Sequence, residues 1–189
     1  MIEVDFDAHE RSRWAGRAQA YRRSFGRLCA YPAEALLDAA AVRAGRRVLD
    51  GPGGRVAVTL WPSPHPPLQR LWGEALDAAG VAPPTDLPRL APGRDFPRTG
   101  PGVTGLLSTA GLVDAGCATL SWTHRADPDD WWAGPAAGIS AIGLVVQRQE
   151  PAVRARIRRE YDRLTAGCRD ADGMLALPTA ALLGSATVE

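Results

Sequence analysis

Apolar residues recur at three- and four-residue steps in several stretches of the chain, the pattern of helices that bury one face. Helices are predicted in this way over residues 9–28, 32–44, 68–79, 101–110, 127–149 in two pieces, and 151–166. The clearest apolar face belongs to 68–79 and consists of Leu68, Leu71, Trp72, Ala75, Leu76 and Ala79. Asp127 followed by Pro128 is a typical helix start, because the carboxylate caps the first backbone amides. Gly134 and Pro135 predict the break between the two pieces.

Shorter apolar runs predict a small sheet. The runs cover residues 48–49, 56–61, 112–123 and 174–187. Only a glycine-rich segment, 51–54, separates the first two, and such a segment makes a tight reversal. Parallel neighbours need a crossover of about a dozen residues or more. The two runs therefore form an antiparallel hairpin over 46–61, or one of them has left the sheet. Pro178 inside the last run indicates a bulge or an edge position.

Composition indicates one soluble globular domain over residues 1–189. The chain is 46% apolar and has a formal net charge of +1, so charge favours neither nucleic acid nor a membrane as a partner. Its three cysteines, Cys29, Cys117 and Cys168, are odd in number and lack the spacing of metal ligands. The sequence shows no apolar signal segment and no membrane-spanning run. We therefore expect a cytoplasmic protein without a metal.

Several segments of the chain are similar to class I S-adenosylmethionine (SAM) dependent methyltransferases of the small-molecule type. They are residues 14–28, LLDAAAVRAGRRVLD at 36–50, PGGRVAVTLW at 52–61, DPDDWWAGPAAGIS at 127–140 and LALPTAALLGSATV at 175–188. The string at 127–140 is the most specific of these. The resemblance implies a Rossmann-like fold. In that fold the first half of the sheet binds SAM, and the N-terminal helices and the second half shape the acceptor pocket.

The resemblance also implies a deletion. In the family a Val-Leu-Asp triplet, here 48–50, runs into a glycine-rich turn that approaches the cofactor. Here it runs directly into 51–61, which resembles a turn and strand from the middle of that fold. The SAM-binding half is thus missing after Asp50, and Asp50 and Gly51 are the only remnants of the cofactor site.

The expected fold class is α/β with an α+β tendency, the remnant of a Rossmann-like fold. Its sheet is small and mixed or antiparallel, and several helices pack on it. The resemblance assigns residues 1–45 to an N-terminal helical cap and residues 46–189 to a truncated methyltransferase-like C-terminal half.

His124 is the candidate catalytic residue. It follows a predicted strand and precedes the acidic helix start at Asp127. A neighbouring carboxylate there would raise its pKa and make it a general base. The alternative is a histidine that hydrogen-bonds a loop or caps the helix.

Aromatic residues are the candidates for binding a ligand. Trp131 and Trp132, at the first turn of a helix, would form a wall for a flat aromatic molecule. Alternatively, one ring of this pair lies in the core and the other at an interface. The resemblance implies that Trp14, Tyr21 and Tyr31 line the same cavity, whereas their helical spacing alone indicates core.

Three functions are open. In the first, the chain binds or acts on a small hydrophobic or aromatic molecule without methyl transfer and without a cofactor. In the second, it is an active small-molecule methyltransferase that binds SAM in a dimeric or rearranged site. In the third, it is a non-catalytic remnant or an interaction subunit, so the sequence does not decide whether the chain is an enzyme. A pocket between the N-terminal helices and the Trp131–Trp132 helix favours the first function, and a solid core there favours the third.

The loss of half a sheet also predicts a homodimer. The strand that would lie beside 56–61 is missing, and an exposed strand edge pairs readily with another chain. A second copy of the chain would cover this edge, either directly or with an exchanged N-terminal segment.

Overall fold

The fold is mixed α/β, with about 50% helix and a small antiparallel sheet. A computed structural model describes residues 11, 14–45, 54–82 and 95–189. Its helices are α1 (Ala18–Arg23), α2 (Phe25–Ala30), α3 (Ala33–Ala39), α4 (Pro67–Ala78), α5 (Gly100–Thr109), α6 (Pro128–Ala136), α7 (Ser140–Gln147) and α8 (Pro151–Thr165), the last followed by a 3-10 turn at Ala166–Cys168. Its strands are β1 (Arg55–Leu60), β2 (Val113–Ala126) and β3 (Leu175–Thr187).

The three strands form one open sheet in the order β1-β3-β2. β1 pairs antiparallel with the end of β3, from Arg55 opposite Thr187 to Leu60 opposite Leu182. Of the predicted mixed or antiparallel sheet, the antiparallel form is therefore the one present, and the predicted strands at 56–61, 112–123 and 174–187 are confirmed. The predicted first arm of the hairpin, at 46–53, lies outside the described residues.

The sequence predicted a bulge or an edge position at Pro178. The edge strand is wrong, because β3 is the middle strand of the sheet, and the bulge stays a prediction. β1 pairs only with the stretch from Leu182 to Thr187, and Pro178 lies outside it. The missing N–H of the proline therefore interrupts no hydrogen bond of the β1 ladder.

The single helix predicted over 9–28 is broken in the structure. Gly16 adopts a positive φ of 74°, and α1 begins only after it. Ser24 separates α1 from α2, because its ψ of -101° departs from the helical value. Its hydroxyl donates a 2.7 Å hydrogen bond to the Ala20 carbonyl, which also accepts from the Ser24 amide at 3.1 Å. The helix predicted over 32–44 also ends early, at Ala39, because Ala41 adopts a φ of 54°.

The later helices follow the predicted pattern. All six residues of the apolar face around α4 are buried, each at most 5% exposed. Asp127 caps α6 as predicted, accepting hydrogen bonds from the amides of Asp129 at 2.9 Å and Asp130 at 3.0 Å. The break after α6 lies later than predicted. The helix passes through Pro135 and is terminated at Gly138, whose φ is 80°.

The described residues fall into two compact units. The first unit consists of the described residues of 1–28, 71–87 and 124–177, and the second of those of 29–70, 88–123 and 178–189. The prediction of one domain over 1–189, with a helical cap over 1–45, stays a prediction. Within the described ranges, no helix is both long and apolar enough to cross a bilayer.

Each unit has its own apolar cluster. In the first unit the cluster consists of Leu76, Ala79, Val81, Val145, Val146 and Ile157. In the second unit it consists of Val103, Leu107, Leu182 and Ala186. Gly184 of β3 shows how tightly the second cluster packs, because a Cβ there would lie 2.5 Å from Cγ1 of Val103.

Candidate functional site

The centre of the first unit is a stack of aromatic rings around Trp131. This tryptophan is 0% exposed. Its ring centroid lies 5.1 Å from that of Phe25 and 6.0 Å from that of Trp72. Trp72 in turn stacks on Tyr161 at 5.0 Å with an angle of 4° between the ring planes. Trp131 is therefore part of a packed core and forms no wall of an open pocket.

Among the described residues, α6 packs directly on the N-terminal helices. A Cβ at Gly134 of α6 would lie 2.5 Å from Oγ of Ser24 and 2.7 Å from Cε2 of Phe25. The space near Trp14 and Gly138 measures about 10 Å³, which is room for about one water molecule. Within the described part of the chain, the place where an acceptor pocket was expected is thus a solid core.

His124 lies inside β2 rather than after a strand, which corrects its predicted position. Its side chain is buried, 6% exposed, and its ring centroid is 5.1 Å from that of Trp131. Burial, together with the positive charge of Arg27, lowers the pKa of His124 below its ordinary value. The expected rise in pKa from a neighbouring carboxylate does not occur here. Within the described part of the chain, Nε2 of His124 has no hydrogen-bond partner.

Trp132 and Trp131 have different surroundings. The alternative interpretation placed one ring of this pair in the core, where Trp131 lies, and the interface that it assigned to the other ring stays a prediction. Trp132 is only partly buried, and the guanidinium of Arg158 lies 5.4 Å from its ring centroid. Tyr161 lies beside it and donates a 2.8 Å hydrogen bond to the Pro128 carbonyl. Burial raises the pKa of the Tyr161 phenol, so this hydroxyl acts as a donor that positions α8 against the start of α6.

The other predicted binding residues do not join one cavity. Trp14 is 47% exposed and meets Tyr21 edge-on at 5.3 Å in the first unit. Tyr31 belongs to the second unit, where it is 58% exposed and stacks on Trp122 at 4.5 Å. Asp50 and Gly51, the predicted remnants of a cofactor site, lie outside the described residues.

The second unit contains a cleft of about 490 Å³, which we call the Trp61 cleft. This volume is within the range typical of sites for small molecules. Its lining residues are Cys29, Pro32, Thr59, Leu60, Trp61, His65, Arg98 and Ala181. They come from the end of α2, the end of β1, the loop after β1, the approach to α5, and β3.

His65 contributes a defined imidazole tautomer to the Trp61 cleft. Its Nδ1 lies 2.9 Å from the Pro62 carbonyl oxygen. A carbonyl oxygen can only accept, so we assign the proton of the neutral ring to Nδ1. Nε2 then carries the lone pair, and it makes no hydrogen bond within the described residues.

Arg98 contributes a positive charge to the same cleft. Its Nη1 donates to Oδ1 of Asp95 at 2.7 Å and to the Phe96 carbonyl at 2.5 Å. The guanidinium carbon lies 4.0 Å from the Phe96 ring centroid. The hydrogen bond from Arg98 lowers the pKa of the Asp95 carboxyl. These contacts fix the plane of the guanidinium group.

A second space in the second unit, of about 450 Å³, is a weaker candidate. It is lined by Pro66, Pro67, Ser121, Trp122, Thr123, Pro178, Thr179 and Ala180. This lining contains no charged side chain that would orient a ligand. Among the described residues, no group of His, Cys, Asp and Glu side chains is placed to hold a metal ion.

Sequence reasoning did not single out Trp61 or Arg98, because the residues of the cleft come from separate parts of the chain. The signal in the sequence that could have indicated the cleft was the proline loop after Trp61, which fixes the chain direction beside the last residues of β1.

The sequence matches no protein-family model and no curated protein sequence. The residues of the Trp61 cleft are therefore the basis of the functional proposal.

Proposed function

We propose that this chain binds a small, flat hydrophobic molecule in the Trp61 cleft and does not transfer methyl groups. The cleft itself carries this proposal. Pro32, Leu60 and Trp61 supply apolar walls, and Arg98 and His65 supply the few polar groups that orient a ligand. In the first unit, by contrast, Trp131 is fully buried in a core and presents no surface to a ligand.

We also infer that the chain is the remnant of a Rossmann-like methyltransferase, on the resemblance of residues 36–61, 127–140 and 175–188. In open parallel sheets the cofactor binds in a crevice at the carboxyl ends of the strands. The described sheet pairs β1 antiparallel with β3, which is not that arrangement. This supports ligand binding without methyl transfer over an active SAM-dependent enzyme.

Calorimetric titration with a neutral aromatic probe, 2-naphthalenemethanol, tests the proposal. We expect saturable one-to-one binding to the wild-type chain. Trp61→Ala removes one wall of the cleft and is expected to weaken binding at least tenfold. Trp14→Ala, which truncates an exposed tryptophan of the first unit, is the matched control and should bind normally. Unchanged affinity in the Trp61→Ala variant would move the site elsewhere.

Titration with SAM and S-adenosylhomocysteine addresses the enzyme alternative. We expect no heat of binding from either compound. Saturable one-to-one binding of either one would overturn the proposal and restore methyl transfer, in a dimeric or rearranged site, as the leading function.

The solid core around Trp131 favours a second candidate function, that of a non-catalytic interaction subunit or remnant. A homodimer is the simplest such assembly. β1 has β3 on one side, and no described strand pairs with its other side. Light scattering should give the mass of a dimer, and a monomeric mass across a wide concentration range would rule the dimer out.

A further inference from the structure

Arg98 lines the Trp61 cleft, and within the described residues one edge of its guanidinium group makes no hydrogen bond. All hydrogen bonds that the guanidinium group donates to described residues leave from Nη1. Nε and Nη2 form the opposite edge, and two neighbouring donors of this kind match the two oxygens of a carboxylate. Asp95 and the Phe96 ring hold the guanidinium plane in place, so little rotational freedom is lost when a ligand binds.

The two partners of this ion pair differ in exposure. The side chain of Asp95 is 64% exposed, and that of Arg98 is 31% exposed. The Asp95 charge is therefore well solvated and screened, whereas the guanidinium group is partly withdrawn into the cleft. A ligand carboxylate at the Nε–Nη2 edge would gain a charge-assisted contact in the less solvated position.

His65 does not compete with Arg98 for a ligand carboxylate. Its Nδ1 proton is committed to the Pro62 carbonyl, and its Nε2 is an acceptor in the neutral ring. A lone pair repels a carboxylate, so His65 favours a neutral or donor group of a ligand. The anionic end of a ligand therefore belongs at Arg98.

We infer that the Trp61 cleft is selective for aromatic carboxylates, with the carboxylate on Nε and Nη2 of Arg98 and the ring against Trp61. This inference rests on the proposed function, because it requires the cleft to bind a flat molecule. It goes beyond that function in naming the charge and the chemical class of the ligand.

The test compares two probes of nearly the same shape, 2-naphthoate and 2-naphthamide, by calorimetric titration at pH 7.5. We expect 2-naphthoate to bind about tenfold more tightly to the wild-type chain, since a partly exposed charge-assisted contact has roughly that effect. The preference should shrink as salt is added. Equal affinities for the two probes would overturn the inference, and this result needs no variant.

Substitutions in the cleft then assign the preference to Arg98. Arg98→Gln should weaken the binding of 2-naphthoate alone, so that the two probes bind with similar affinity. Arg98→Lys should keep only part of the preference for 2-naphthoate, because lysine lacks the two neighbouring N–H donors of the guanidinium group. Arg159→Gln removes an exposed arginine from α8 in the first unit, outside the cleft, and is the control of equal charge change. It should leave the preference unchanged. A preference that survives in Arg98→Gln, or one that disappears equally in Arg159→Gln, would contradict the assignment.

The Asp95→Asn variant distinguishes a direct contact between Arg98 and the ligand carboxylate from a purely structural role of Arg98. It removes the competing negative charge but keeps a hydrogen-bond acceptor for Nη1. We expect 2-naphthoate to bind about two- to threefold more tightly to this variant, with 2-naphthamide unaffected. Weaker binding of 2-naphthoate would count against the inference.

The outcomes separate this inference from the proposed function. If 2-naphthalenemethanol binds but 2-naphthoate is not preferred over 2-naphthamide, the cleft binds flat molecules and the carboxylate selectivity is wrong. If none of the three probes binds, both the proposed function and the inference fail.

Discussion

The two units place their aromatic side chains in different surroundings. In the first unit Trp131 is fully buried, and rings from three other elements, those of Phe25, Trp72 and His124, pack against it. In the second unit Trp61 lines a cleft of about 490 Å³, and Tyr31 covers Trp122 while staying largely exposed. The number of aromatic residues in a segment therefore does not locate a binding site. The space left beside them does.

The largest expected effect is the loss of the Trp131 side chain. Trp131→Ala should lower the free energy of unfolding by about 3–5 kcal/mol, because a buried tryptophan leaves a large void when truncated. Trp61→Ala, in the cleft, should cost roughly 1–2 kcal/mol, since part of that ring is in contact with open space. Urea unfolding followed by circular dichroism measures both. Similar losses for the two variants would mean that the first unit is not the more tightly packed one.

A smaller effect tests how closely α6 packs. Gly134→Ala should destabilise the chain by about 1–3 kcal/mol, because the new Cβ would meet Oγ of Ser24 at 2.5 Å. Gly73 of α4 offers a matched control, since a Cβ there has nothing within 4 Å. Gly73→Ala should instead stabilise the chain by up to about 1 kcal/mol through helix propensity. A neutral or stabilising Gly134→Ala would show that a cavity does separate α6 from the N-terminal helices.

Helix caps provide the next comparison. Asp127 caps α6 in the first unit with two backbone hydrogen bonds and a negative charge, whereas Thr99 caps α5 in the second unit with one bond of 3.2 Å from Gly102. Asp127→Ala should cost about 1–2 kcal/mol and Thr99→Ala about 0.5 kcal/mol. The urea midpoints of the two variants, measured at equal protein concentration, show which substitution lowers stability more. A larger loss for Thr99→Ala than for Asp127→Ala would contradict Asp127 as the stronger cap.

The smallest expected effect is a dependence of stability on pH through His124. Burial lowers its pKa in the folded chain below the ordinary value of 6.5. As pH falls through 6.5, His124 is protonated in the unfolded chain before it is protonated in the folded chain. The contribution of His124 to the free energy of unfolding is therefore complete above about pH 6.5. It decreases below that pH until the pKa of His124 in the folded chain is passed. Urea midpoints at pH 8 and pH 5 should differ more in the wild-type chain than in His124→Gln. An equal or larger pH effect in the variant would exclude His124 as its source.

The parts of this fold that the sequence predicts best are those set by local chemistry. The apolar face of α4 follows from helical periodicity, and the start of α6 follows from the order Asp127-Pro128. Neither depends on distant residues. The break at Ser24 and the early end of α3 at Ala39 were missed, because they depend on single hydrogen bonds and φ values rather than on the apolar pattern.

The candidate site was predicted poorly because it is a property of the tertiary fold. His124 has the right chemistry for a base, but its burial beside Trp131 is decided by where β2 packs. Arg98 and Trp61 are far apart along the chain and become neighbours of one cleft only when β1 and the approach to α5 are in place. The position of Trp131 and Trp132 at the first turn of a helix predicted a wall for a ligand, whereas their surroundings in this chain are those of a core and a partly covered surface.

The pairing of β1 with the end of β3 has a consequence for synthesis on the ribosome. Leu60 emerges long before its partner Leu182, so the nascent strand has no neighbour until the segment around Leu182 has been synthesised. During that time its apolar residues, Val56, Ala57 and Val58 among them, are open to chaperones and to other nascent chains. The wall of the Trp61 cleft that β1 provides is therefore among the last parts of the molecule to be completed.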